Sequence, residues 1–97
     1  MKKLLLAAAL LSSSAMANTD ICVDMHEQAG VVMRAHQSGV PATKVWEHVE
    51  GIIQMELMFE QAYSKPRYST KAHQEKVISE FADKWFISCL KAFGEDV

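Results

Sequence analysis

Two cysteines constrain this chain more than any other feature. Cys22 and Cys89 lie 67 positions apart. One is near the start of the first helical pattern and the other near the end of the last. That spacing excludes a CxxC redox centre or a paired metal site. In an oxidising compartment the simplest outcome is one disulfide. A disulfide needs Cα atoms within about 7 Å of each other. The two ends of the helical pattern must then meet in space.

The amino end points to such a compartment. Lys2 and Lys3 precede an apolar run from Leu4 to Leu11. Ser12-Ser13-Ser14 and Ala15-Met16-Ala17 follow, a small-x-small cleavage site. This reads as a secretory signal peptide over residues 1–17, leaving a single domain over 18–97. The run is too short for a transmembrane anchor, which needs about 20 apolar residues. The expected location is the periplasm. The signal holds two of the ten basic residues and no acid, so the mature chain has eight bases against twelve acids, net −4. That balance argues against nucleic acid and against anionic membrane surfaces as partners.

The mature chain has no persistent strand-like alternation, but it has helical spacing. Cys22, Met25, Ala29, Val32 and His36 mark one face of a first helix, with Met33 alongside. Asn18, Thr19 or Asp20 can cap its start, and Gly39 ends it. Val40-Pro41 opens a second segment with Val45, Trp46 and Val49 as its apolar positions. A third places Ile52, Met55, Phe59 and Ala62 on one face, flanked by Ile53 and Leu57. Pro66 breaks the pattern, and Ser69 or Thr70 can cap a last helix that Gly94 ends.

The cysteines then decide the helix count. In an up-down-up three-helix bundle they would sit about 25–30 Å apart. Gly51 supplies the extra reversal. The expectation is an all-α, disulfide-stapled bundle of four helices, roughly 20–37, 41–50, 52–63 and 70–93, the second short. A mature domain this small has little core, and closing so long a loop contributes roughly 4 kcal/mol.

Two places stand out as candidate surfaces. On the last helix, Trp85, Ile78, Cys89 and Phe81 form a core stripe. Phe86, Leu90, Phe93 and Val77 widen the apolar arc to about 220°, against about 100° for an ordinary surface helix. Either neighbours wrap this helix, or Phe86 and Leu90 meet another chain, with a homodimer the simplest case. The second place is the segment from Tyr63 to Tyr68. Tyr63, Arg67 and Tyr68 surround a rigidifying proline, with Lys65 between them, and aromatic and Arg side chains anchor interfaces. It is either a recognition loop for an acidic or polar partner surface or a connector whose tyrosines cover the core edge.

Catalytic and metal patterns are missing from the sequence. His26, His36, His48 and His73 form no HxxxH pair. Met25, Met33, Met55 and Met58 fall at core spacing. There is no serine elbow, phosphate loop or free-cysteine nucleophile. Glu47 with Glu50, and Glu56 with Glu60, lie on polar faces. No cofactor, metal or enzyme activity is expected.

Gly39-Val40-Pro41, the run Ala62-Tyr63-Ser64-Lys65-Pro66-Arg67, Phe81…Cys89 and the early Cys22 resemble short exported all-α proteins of Gram-negative bacteria with one Cys pair. A fainter similarity is to periplasmic immunity proteins of the type VI secretion system. Those are small, disulfide-bonded and often dimeric, and they block a toxic peptidoglycan amidase. The expected function is a non-enzymatic periplasmic protein-interaction module, such as an inhibitor, immunity or adaptor protein. The alternatives are an acid-stress chaperone and a His/Met metal carrier.

Overall fold

The computed structural model describes residues 2–93, with side chains from Asp20 onward. Its helices are α1 (Lys2–Gln37), α2 (Ala42–Val49), α3 (Ile53–Tyr63) and α4 (Lys71–Ala92). The described residues contain no strand. The chain is an all-α bundle stapled by one disulfide, Cys22–Cys89, with Cα atoms 5.4 Å apart.

The helices run up, down, up and down. Cys22 and Cys89 mark one end of the bundle. Ile21 and Met25 of α1 share a hollow there with Ile52 and Met55 at the start of α3. At the other end the Tyr63 hydroxyl donates to the Val40 carbonyl, and the Gln37 amide donates to Pro66. Four helices make three reversals, and an odd number of reversals brings the two cysteines together, as their pairing requires.

Two glycines make the first two reversals. Gly39 has φ +87°. Its N–H bonds to His36 and the Val40 N–H to Ala35. That pairing is a Schellman cap, which needs a left-handed residue. Gly51 has φ 90°, follows Glu50 at φ −55°, ψ 130°, and is bracketed by an Ile52 N–H to Val49 carbonyl bond of 3.1 Å. Those angles define a type II turn with glycine at its third position. It folds α3 back on α2.

The core draws from every helix. Ala29, Val32 and Met33 of α1 meet Val45 and Val49 of α2, Met58 and Ala62 of α3, and Ile78 and Phe81 of α4. Trp46, Phe59, Tyr63 and Trp85 cover its edges half-buried. The α3 face is rotated from the expected one. It centres on Met58 and Ala62, while Ile52 precedes the helix and is exposed. Ile52 is the third helix's N-cap, so it does not share the helical period.

The first helix also differs from expectation. Its backbone is helical from Lys2, so Asn18, Thr19 and Asp20 are interior positions rather than caps. The stretch before Cys22 contains no Gly or Pro to break it, and its Leu and Ala are strong helix formers. Thr70 does cap α4, its side chain accepting from His73 N–H. Gly94, expected to end the last helix, lies outside the described residues. No described helix is long and apolar enough to cross a membrane.

Candidate interaction surface

The α3–α4 connection is held by a residue that the helical pattern did not single out. Gln37 ends α1 on the same stripe as Ala29 and Met33, and it is 2% exposed. Its Nε2 donates to the Pro66 carbonyl at 2.9 Å and lies 3.7 Å from Met33 Sδ. Its Oε1 accepts the Tyr68 N–H at 2.9 Å. Burying an amide is tolerable only when donor and acceptor are both satisfied. Here the loop backbone satisfies them, and the loop is ordered as a consequence.

Other contacts fix the same segment. His36 Nε2 donates to the Lys65 carbonyl, and Gln74 Nε2 donates to Tyr68 O at 2.6 Å. Tyr68 stacks on His73 with centroids 4.1 Å apart. Tyr63 joins a row of rings, 4.9 Å from Phe59 and 4.4 Å from His36. Partial burial pushes the Tyr63 phenol above its ordinary pKa. The Arg67 guanidinium lies over Gly39, where an added Cβ would stand 2.9 Å from Nη2.

Tyr63, Arg67 and Tyr68 therefore come together at one end of the bundle. Tyr63 and Tyr68 are half-buried and Arg67 is exposed. Phe86 belongs to a different surface, on the seam between α1 and α4, and Leu90 follows it one turn later in α4. Phe86 meets His26 edge-on at 6.0 Å, and His26 Nε2 lies 3.1 Å from Asp83. Val23, His26, Asp83 and Phe86 line an open hollow of about 280 Å³ there. The main neighbour of α4 is α1, with Trp85 Nε1 reaching Gln61 of α3 at 3.1 Å. Phe86 and Leu90 are half-buried, and Ile87 and Phe93 are more than 40% exposed.

One two-pronged ion pair crosses this seam. Arg34 donates to both Glu75 oxygens, at 2.7 and 3.2 Å. These bonds hold the Glu75 carboxyl below its ordinary range and raise Arg34. Among the described residues no three His, Cys, Asp or Glu side chains form a metal-binding group. No protein-family model, curated protein or solved structure matches this chain.

Sequence reasoning missed Gln37. Its signal was there: 29, 33 and 37 continue one helical stripe, and a polar residue at the end of an apolar stripe needs a partner. The sequence could not say which backbone would meet it.

Proposed function

We propose that the chain is a non-enzymatic periplasmic protein-interaction module, an inhibitor, immunity or adaptor protein whose signal peptide is removed after Ala17. The observation that carries this reading is the loop held by Gln37. Tyr63, Arg67 and Tyr68 are ordered before any partner arrives. A preordered surface loses less side-chain and loop entropy on binding. The disulfide adds to that rigidity by tying the first and last helices together.

The test is in-cell photocrosslinking. A photoreactive residue replaces Ser69, which is exposed beside Tyr68, and in a control replaces Glu47 on α2. The expected result is a single periplasmic adduct from position 69 and none from position 47. Unprocessed protein in the cytoplasm, no adduct, or the same adducts from both positions would overturn the reading.

A further inference from the structure

Charged side chains are sorted along the bundle axis. The end that carries the 64–70 segment also holds the close of α1 and α3 and the start of α2 and α4. Arg34, Lys44, Lys65, Arg67, Lys71 and Lys76 lie at that end, and all six are exposed. The carboxylates nearest them are Glu47, one turn from Lys44, Glu60 in the last turn of α3, Glu75, already held by Arg34, and Glu80, which lines a hollow with Lys65. Six cations against four carboxylates leave a surplus of two positive charges. The mature chain as a whole is net −4. The opposite end holds Asp20, Asp24, Glu50 and Glu56, near the disulfide and the Gly51 turn. Among the described residues the ion pairs are His26–Asp83 and Arg34–Glu75, so the other five cations are unpaired.

We infer that this basic end docks on a protein surface bearing clustered carboxylates. The inference rests on the interaction-module reading and names the chemistry of its partner. Long-range charge steers encounter and suppresses wrong orientations. The acidic remainder of this molecule is repelled by an acidic partner. Only an approach led by the basic end is attractive, and that approach presents Arg67, Tyr63 and Tyr68 to the partner. Arg67 is positioned over Gly39 and offers planar, two-pronged recognition of a carboxylate.

Two other occupants fit less well. An anionic bilayer is bound by basic residues together with apolar side chains that insert. The large exposed hydrophobics near this end are two valines, Val40 and, beside Arg34, Val31, with no exposed aromatic ring, and the Tyr63 hydroxyl is committed to the Val40 carbonyl. A second copy would have to set basic end against acidic end, head to tail or as an antiparallel pair, and sedimentation of the protein alone reads that outcome.

The test uses the purified, oxidised protein with poly-L-glutamate as probe. The expected result is binding that weakens steadily as salt rises. Reversing the patch with K65E/R67E weakens it by about tenfold or more. Reversing the cation at the far end of α4, K91E, changes it by less than about twofold. The variants K65R and R67K, which keep the charge, retain binding, and circular dichroism checks that each variant folds. Four results would overturn the inference: no binding to poly-glutamate, equal loss in both reversal variants, tighter binding to phosphatidylglycerol vesicles than to poly-glutamate, or salt-sensitive chains or pairs of the protein alone in sedimentation. Poly-glutamate binding depends on neither a cellular partner nor a location. Its failure is therefore distinct from failure of the crosslinking experiment.

Discussion

Gln37 and Tyr68 are joined by a partly buried bond of 2.9 Å from the Tyr68 N–H to Gln37 Oε1. It links the last residue of α1 to a segment 31 residues later, and the same amide holds Pro66 from the other side. This side chain, with His36 and Gln74, holds the shape of the basic end of the bundle.

Replacing Gln37 should therefore loosen the loop before it unfolds the bundle. Q37L removes both polar contacts and leaves the Tyr68 N–H and Pro66 carbonyl without partners. Such a loss costs about 1–3 kcal/mol. Q37E keeps an acceptor for Tyr68 but buries a carboxylate against the Pro66 carbonyl, so at neutral pH it should be at least as destabilising as Q37L and should recover in acid, where the protonated carboxyl can donate to Pro66. Denaturant titration gives the energies, and amide exchange at Tyr68 should quicken in Q37L. Unchanged exchange at Tyr68 would contradict the role assigned here.

The disulfide closes a loop of 67 residues. The chain-entropy relation gives about 4 kcal/mol for that length. Net stability of domains is about 5–15 kcal/mol, so a domain this small should lose a large share on reduction. Denaturation with and without reductant, and of C22S/C89S, measures it. Both cysteines are almost fully buried, so reduction of the folded protein should be slow. A midpoint indifferent to reductant would refute the estimate.

Gly30 and Gly51 should respond in opposite directions to alanine. Gly51 has φ +90° and open space around it. G51A therefore carries only the backbone penalty of a left-handed L-residue, roughly 1–2 kcal/mol. Gly30 lies inside α1, and an added Cβ would meet Ala82 Cβ at 3.7 Å, an ordinary contact. G30A should stabilise by up to about 1 kcal/mol through helix propensity. Thermal denaturation of the two variants decides it, and destabilisation by G30A would show that the α1–α4 contact cannot take a methyl group.

Acid should remove one small stabilising contribution. The Arg34 bonds lower the Glu75 pKa in the folded state. A depressed carboxyl contributes stability above its ordinary pKa of about 4.3, and loses it as pH falls through the lower folded value. The pair is exposed, so the contribution is modest. E75Q should be slightly less stable than wild type at neutral pH, and the gap should close on acidification. Denaturation midpoints stepped down in pH test this, and a gap that widens in acid would reverse the assigned sign.

Much of this fold was legible in one dimension. The apolar spacing of Cys22, Ala29 and Val32, the break at Pro66 and the cap at Thr70 are local, and local signals survive folding. The four-helix count needed one long-range constraint, the Cys22–Cys89 pairing, and Gly51 to satisfy it. Less was legible in the α3 face: Met58 falls at core spacing and is buried, but Ile52, expected on the same apolar face as Met55, is exposed. A four-residue apolar period reads almost equally well from either start, and packing against α1 chooses between them.

The candidate surface divides in the same way. Tyr63, Arg67 and Tyr68 are near neighbours in the chain, so their grouping could be read from it. Phe86 and Leu90 could be marked as excess apolar surface, but not placed apart from the loop. The sorting of Lys44, Lys71 and Arg34 to one end arises only when alternate helices reverse direction. Gln37 found its partners only when α4 returned beside α1. Helical period and covalent pairing act through residue spacing, and a sequence displays spacing directly. Satisfying a buried amide and summing charges across a surface act through distance in space, and that distance exists only once the bundle has closed.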